Sequence, residues 1–325
     1  MSDQLLVGVD LGGTNVRAAL VRRDGVVLQR DKRDSLQERD PDDTLGAIVE
    51  TCRAVMEAEG VSAADVLGVG IGMPGIMDGV TGVCHWSPNF PSWKDVPVGP
   101  HVRAELGVPT FILNDAKCAI LGEWEFGAGR GTRDLVMITL GTGIGGAFIV
   151  DGRLLVGPDG SIGEVGHHTV HPFGRRCGCG NYGCWEAMCA RDAIRECAER
   201  QLQSGRESVL AALPRHEITP RDVAEAALQQ DPVALAAMEE IGFYIGLGVA
   251  NLINMMNPER FIVGGGIATA GEVLFGPLRR TVHARAVPLQ AGRVTIVPAD
   301  LGDDAGVLGA AVLVLARLGE RHGVL

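Results

Sequence analysis

Lysine is almost missing from this chain. Among 325 residues only Lys32, Lys94 and Lys117 occur, and arginine supplies the rest of the 29 basic residues. No lysine follows a glycine. That excludes the P-loop, whose glycine-rich turn ends in Lys and a hydroxyl residue. No G-x-G-x-x-G turn stands between the first strand and a helix, so a dinucleotide-binding fold is not expected either. Basic blocks are also lacking. With 40 acidic residues, a net charge of −11 and a pI near 5.2, the chain is expected to bind neither nucleic acid nor an anionic membrane. The opening M-S-D-Q-L-L-V-G-V-D has no basic segment ahead of an apolar one, and no signal peptide is expected. One uncharged run, 241–258, is long enough to span a bilayer. Yet Asn251, Asn254 and Asn257 recur on it every three residues and Pro258 ends it, so we read it as a buried helix with a polar stripe. Low-complexity linkers are absent.

What is present is enough apolar material, 46% of the residues, for two domains with separate cores. Eight cysteines with no export signal point to a reducing cytoplasm, where clustered cysteines hold metal more often than they form disulfides. The cluster lies in 164–186, E-V-G-H-H-T-V-H-P-F-G-R-R-C-G-C-G-N-Y-G-C-W-E. Cys177, Cys179 and Cys184 alternate there with Gly178, Gly180 and Gly183, which allow the sharp turns that bring three sulfurs together. Three Cys and one His complete a closed tetrahedral zinc site of the structural kind. Spacing leaves the histidine open among His167, His168 and His171. Cys52, Cys84 and Cys118, each alone on an apolar stretch, read instead as buried small hydrophobes.

Along the chain, 5–10, 16–21 and 26–30 read as strands joined by tight turns, the first of them L-G-G-T-N. Residues 44–59 follow the 3.6-residue helical period. Strands at 66–71 and 108–113 alternate with short helices at 101–106 and 116–124, the pattern of parallel pairing with functional groups at the strands' carboxyl ends. After the glycine-rich 127–131 the opening pattern returns: strand 135–140, the turn G-T-G-I-G-G, strand 147–150. We read this as an internal repeat, two related domains in tandem. Helices are expected at 186–203, 221–230, from 231 or 232 onward, 272–286 and 305–318, with strands at 261–263 and 294–297.

Asp10, Gly12, Gly13 and Thr14 have the make-up of a phosphate-binding turn. Glycines let backbone N–H groups face an anion, and Asp10 could hold Mg²⁺ through water. Alone, the turn reads equally as an ordinary hairpin. A second turn, Gly141, Thr142 and Gly143 with Gly145 and Gly146, makes a two-sided clamp on a polyphosphate possible. Asn114-Asp115 sits where a buried strand meets a helix. Asp115 is then either a helix N-cap or a general base for a hydroxyl attacking phosphorus. Glu164, His167 and Glu186 could accept from sugar hydroxyls or support the metal site. Asn89, in S-P-N-F-P-S-W, lies next to aromatics.

These motifs together resemble the ROK family of bacterial sugar kinases and repressors, within the actin/hexokinase-like ATPase fold. The resemblance runs from V-D-L-G-G-T-N-V-R through L-N-D-A, L-G-T-G-I-G-G and E-V-G-H…C-G-C-G-N-Y-G-C-W-E to the closing helix. It implies an α/β protein, two related domains of mixed sheet and helices around a cleft that closes over ATP and sugar. By position it implies phosphate and Mg²⁺ binding at Asp10, Gly12, Gly13, Thr14 and Gly141, Thr142, Gly143, with Gly265 and Gly266 near the nucleotide. It implies Asp115 as catalytic base. It implies sugar binding by Gly75, Asn89, Asn114, Asp115, Glu164, His167 and Glu186, and zinc binding by His167, Cys177, Cys179 and Cys184. Two departures stand out: I-G-G-A at 144–147, where many members have a third glycine, and Lys117-Cys118 after N-D-A.

Repressors of this family carry a winged helix-turn-helix ahead of the first glycine turn; with nine residues before Asp10, none is expected here. Polyphosphate-dependent relatives lack the cysteine cluster, so ATP is the expected donor. The loop S-P-N-F-P-S-W-K with E-V-G-H looks most like members that phosphorylate glucose at its 6-hydroxyl. The alternatives are kinases for N-acetylglucosamine, N-acetylmannosamine or fructose, and a catalytically silent sugar sensor. We expect a smaller domain of 1–115 plus 305–325 and a larger one of 116–304 with the zinc loop. The expected cofactors are ATP, Mg²⁺ and structural Zn²⁺, and the family suggests a cytoplasmic homodimer.

Overall fold

The apolar run that opens the chain becomes the middle of a sheet. The structure, a computed structural model, describes residues 4–36, 38 and 40–320. In chain order the elements are β1 (Leu5–Leu11), β2 (Asn15–Arg22), β3 (Val27–Asp34), α1 (Pro41–Glu59), β4 (Val66–Met73), β5 (Ile76–Asp78), β6 (Val83–Trp86), β7 (Lys94–Val96), α2 (Val98–Leu106), β8 (Thr110–Asn114) and α3 (Asp115–Phe126). There follow β9 (Leu135–Leu140), β10 (Ile144–Val150), β11 (Arg153–Leu154), α4 (Trp185–Cys189), α5 (Arg191–Leu202), α6 (Pro220–Leu228) and α7 (Pro232–Met256). The chain closes with β12 (Arg260–Gly264), α8 (Glu272–Arg285), α9 (Pro288–Ala291), β13 (Thr295–Pro298) and α10 (Ala305–Arg317). They fall into two compact units. One runs to Arg133 and takes up Ala147–Ile162 and the chain from Asp300 onward; the other is Asp134–Gly146 with Gly163–Ala299.

The first unit is built on the sheet β3-β2-β1-β4-β8, in which β1, β4 and β8 run parallel and β2 pairs antiparallel with both β1 and β3. Successive side chains of a strand point to opposite faces. Leu5, Val7, Val9 and Leu11 therefore join one core with Leu45, Ile48, Cys52 and Val55 of α1. Leu6, with Ala19 and Val21 of β2, meets Val307, Leu308, Ala311 and Val314 of α10 on the other. Burying each of the larger side chains contributes about 1.5–3 kcal/mol. On the α10 side the sheet presents glycines. A Cβ on Gly8 would lie 1.9 Å from the Val307 carbonyl oxygen, and one on Gly70 1.8 Å from that of Ala310, so the helix backbone rests directly on the sheet. A small sheet β5-β6-β7 was not expected from the sequence; its strands of three or four residues are too short to show alternation.

The second unit contains β9, β12 and β13, parallel neighbours in the order β9-β12-β13. Helix α7 packs on α8 and also touches α4, α5 and α6. Its length and apolar composition would suffice to cross a membrane, but Val233, Ile241, Ile245, Val249 and Ile253 are buried inside the unit. The asparagine stripe faces outward: Asn254 Oδ1 accepts from the Val287 N–H at 2.8 Å, and Asn257, with φ of 47°, ends the helix.

Two expectations change. The helix expected over 186–203 breaks at Ala190, whose ψ of −173° is extended. The cause is distant in sequence: the Arg191 N–H donates to the Gly141 carbonyl at 3.1 Å instead of continuing α4. The strand expected over 147–150 starts earlier, at Ile144, so the second turn is only Gly141-Thr142-Gly143, with Gly145 and Gly146 inside β10.

Candidate active site

Because β1, β4 and β8 are parallel, their carboxyl ends share one edge of the first sheet. Asp10 pairs there with Gly72, and Met73 with Asn114. Asn114 is the N-cap of α3, its Oδ1 accepting from the Ala116 and Lys117 N–H groups at 3.1 and 3.3 Å. Asp115 is thus the first helical residue rather than the cap, and its Oδ1 accepts from the Ala116 N–H at 2.8 Å. Burial pushes the Asp10 carboxyl up to about 6, the neighbouring Asp115 charge adds to this, and Arg17 pulls partly the other way. Two carboxylates converging on a desolvated edge favour a cation. The first turn of α10 lies against Asp10, since a Cβ on Gly306 would be 3.0 Å from its carboxyl carbon. The two residues that depart from the family pattern lie directly below: Lys117 is buried with Nζ donating to the Gly160 carbonyl at 2.9 Å, and Cys118 is fully buried.

The turn Gly12-Gly13-Thr14 joins β1 to β2 and is closed by the Gly12 N–H donating to the Asn15 carbonyl at 2.8 Å. Ser35 braces it from behind, its hydroxyl donating to the Gly13 carbonyl at 2.7 Å. Gly75, with φ of 117°, leaves β4 against β6, where a Cβ would lie 2.2 Å from the Trp86 carbonyl oxygen. Asn89 is exposed three residues past Trp86, beside the stacked rings of Phe90 and Trp93 at 4.6 Å.

In the second unit the Gly141 N–H donates to the Gly143 carbonyl at 3.0 Å. Glu186 reaches this turn from α4: its Oε2 accepts from the Ile144 N–H at 2.9 Å, and a Cβ on Gly143 would lie 2.1 Å from that oxygen. Gly265, with φ of 86°, packs against Leu140, where a Cβ would be 2.3 Å from the carbonyl oxygen. Gly141, Thr142 and Gly266 then line a 660 Å³ cavity whose far wall includes Thr219, Arg221, Ala224, Glu225 and Leu228 of α6 and the residue before it. Arg191 stands at its near end.

The cysteine stretch folds as a tight knuckle. The Cys177 N–H donates to the Asn181 carbonyl at 2.8 Å, and the Gly180 N–H to the Cys177 carbonyl at 3.0 Å. Gly183 takes φ of 65° where a Cβ would be 1.6 Å from the His171 carbonyl oxygen. The ligand atoms of His167, Cys177, Cys179 and Cys184 lie within 4.8 Å of one another. Cys179 and Cys184 Sγ are 3.7 Å apart, and Cys177 Sγ is 3.6 Å from His167 Nδ1. A tetrahedral zinc with ordinary bond lengths sets these edges at about 3.8 and about 3.6 Å, so the donor set fits that ion. Desolvation pushes the Cys184 thiol up to about 12, and only a bound cation favours its thiolate. His168 and His171 face elsewhere, His168 against the Trp185 ring and His171 towards Tyr244. His167 Nε2 is 3.9 Å from Glu164 Oε2, and Glu164 is exposed.

Sequence reasoning overlooked the α6 wall of the cavity and Arg191. Thr219 carries a readable signal, a capping box with Asp222 just ahead of Pro220, but that marks a helix start and not a ligand.

The fold, two α/β units each with parallel strands ending at a glycine turn, is of the actin/hexokinase-like class. The ROK family pattern matches residues 6–317, and the chain belongs to the ROK family. It is 40% identical to the glucokinase of Thermotoga maritima, over 97% of this chain and 98% of that protein. The xylose repressor of Caldicellulosiruptor bescii is 30% identical over 96% of this chain but only 78% of its own. The crystal structure of a ROK family glucokinase from Streptomyces griseus, in complex with glucose and AMPPNP, superposes with a TM-score of 0.82. It is 34% identical and covers 95% of this chain and 98% of its own.

Proposed function

We propose that the protein is an ATP-dependent glucokinase that transfers the γ-phosphoryl group to the 6-hydroxyl of glucose. The observation that carries this reading is the meeting of Asp10 and Asp115 at one sheet edge, in a chain similar over nearly its whole length to glucokinases. Asp115 takes the proton of the 6-hydroxyl. The new O6–P bond forms as the bond from the γ-phosphorus to the β-bridging oxygen breaks, and ADP leaves. The capping of α3 by Asn114 fixes the Asp115 backbone for that role. Asp10 would hold Mg²⁺ through water, and the magnesium ion offsets the charge of the phosphates. The turns Gly12-Gly13-Thr14 and Gly141-Thr142-Gly143, with Gly265 and Gly266, would receive the phosphates. Gly75, Asn89, Asn114, Glu164, His167 and Glu186 would hold the sugar. His167, Cys177, Cys179 and Cys184 would hold a structural zinc, which keeps the knuckle folded ahead of α4 and so keeps Glu186 in place.

The test is ADP release from Mg-ATP with glucose, mannose, fructose, N-acetylglucosamine or N-acetylmannosamine. Glucose is expected to give the largest kcat/KM. Another sugar in first place would replace the substrate, and no ADP with any sugar, from zinc-loaded protein, would overturn the kinase reading. Asp115→Asn should lower kcat about 10²–10⁴-fold while glucose binding persists; near-normal turnover would remove Asp115 from the base role.

A further inference from the structure

We infer that Arg191 is a nucleotide-phosphate contact, supplying in this chain the positive charge that a lysine gives other nucleotide sites. The inference rests on the nucleotide reading of the 660 Å³ cavity and deepens it. A triphosphate needs more than backbone amides, because its charge is desolvated on binding. All three lysines lie in the first unit, so the cavity, formed wholly within the second, has none to offer. Two cationic side chains line it among the described residues, Arg191 and Arg221.

The two are not equivalent. Arg221 is already engaged, its Nε donating to Glu225 Oε1 at 2.7 Å on the next turn of α6. Among the described residues the Arg191 side chain has only Asp192, at 4.0 Å, and Asp192 is shared with Arg195 at 3.9 Å. Arg191 also stands at the glycine end of the cavity, because its own N–H donates to the Gly141 carbonyl at 3.1 Å. That bond fixes the arginine Cα beside the turn and breaks the helix between α4 and α5 to do so. The guanidinium is left half exposed, a planar fork suited to phosphate oxygens.

The test compares ADP with adenosine, which shares the base and ribose but not the phosphates. Calorimetric affinities for both are measured on wild type, Arg191→Gln, Arg191→Lys and Arg221→Gln, alongside glucose-dependent ADP release by the wild type. Arg191→Gln should weaken ADP about ten- to a hundredfold and leave adenosine unchanged, with Arg191→Lys between the two. The backbone N–H survives each substitution, so the Gly141 contact remains. Equal losses for ADP and adenosine would mean a structural role and overturn the inference, as would an unchanged ADP affinity or a phosphate-selective loss in Arg221→Gln instead. Wild type that turns over glucose while Arg191→Gln keeps its ADP affinity refutes the arginine alone. Wild type that neither binds ADP nor releases it refutes the nucleotide reading, and the arginine with it.

Discussion

The turn after β1 brings its own carboxylate, whereas the turn after β9 borrows one. Asp10 lies within β1, two residues ahead of Gly12, and is held by the strand pairing of β1 with β2 and β4. The position that matches it ahead of Gly141 is Thr139, and the acid at that turn is Glu186, which comes from α4 and accepts from the Ile144 N–H. An acid built into a central strand cannot drift unless the sheet opens. An acid on a five-residue helix stays only while that helix is anchored. Two things hold α4: the knuckle, whose Cys184 is the residue immediately before it, and Trp185, its first residue, which is buried with its Nε1–H donating to the Tyr244 carbonyl at 2.8 Å. Two copies of one strand–turn–strand pattern are thus held by different means, one by the sheet and the other by Glu186 of α4, with the cysteine–histidine knuckle directly ahead of it.

The largest effect expected from breaking this contrast is at Asp10. Asp10→Asn should lower kcat/KM for Mg-ATP at least about a hundredfold and, in metal-free buffer, raise stability near neutral pH. The sign follows from its pKa, raised from 3.8 to about 6 chiefly by burial. The protonated carboxyl suits the fold, so that contribution is complete below about 3.8 and is lost as pH rises through about 6. Above that, the ionised Asp10 costs on the order of 2–3 kcal/mol, which asparagine avoids. Thermal melts of the two proteins should differ near pH 7.5 and coincide near pH 4. A wild type at least as stable as Asp10→Asn at neutral pH would show that the fold tolerates this charge.

Next in size is removal of the second turn's anchor. Chelation, or Cys184→Ser, should lower the melting temperature and cut activity about ten- to a hundredfold, the usual cost of losing groups behind a working site. The location of the damage distinguishes the two turns. Hydrogen exchange at the Ile144 amide, bonded to Glu186, should accelerate, while the Gly12 amide, bonded to Asn15 within its own hairpin, should keep its protection. Equal acceleration at both would mean that the knuckle supports the whole fold and not one turn.

This division of labour was only partly legible in the sequence. Strand β9 was read with both its ends right, and β1 and α10 to within a residue, because their apolar patterns are long or bounded by glycine. The cysteine stretch could be read as a metal knuckle because three thiols and their glycines are close in sequence. What escaped were features made by residues far apart. The break at Ala190 follows from a bond between Arg191 and Gly141, and neither the α4 pattern nor the α5 pattern contains it. The bracing of the second turn by Glu186 joins residues 42 positions apart. The Asn114 cap was missed for the opposite reason: two adjacent residues can both cap a helix, and only the backbone decides between them.

The smallest effects sort the glycines of the two turns by purpose. Neither Gly12 nor Gly141 has a positive φ. A Cβ on Gly12 would meet only the Asn15 carbonyl oxygen, at an ordinary 3.6 Å, and one on Gly141 would meet nothing within 4 Å. The fold does not require glycine at either position, which suits the proposed role of both turns in receiving phosphates. Gly12→Ala and Gly141→Ala should therefore change stability by no more than about 1 kcal/mol, and in the stabilising direction, while each raises KM for ATP and leaves KM for glucose alone. Gly143 is different, because its Cβ would occupy the place of Glu186 Oε2, 2.1 Å away. A flexible carboxylate can swing aside at small cost in stability, but the Ile144 bond goes with it, and Glu186 leaves the position from which it would reach the sugar. Gly143→Ala should thus raise KM for glucose as well as for ATP. Paired steady-state titrations of both substrates decide the matter: a Gly143→Ala variant that loses ATP affinity alone would detach Glu186 from the sugar and make it a brace for the turn.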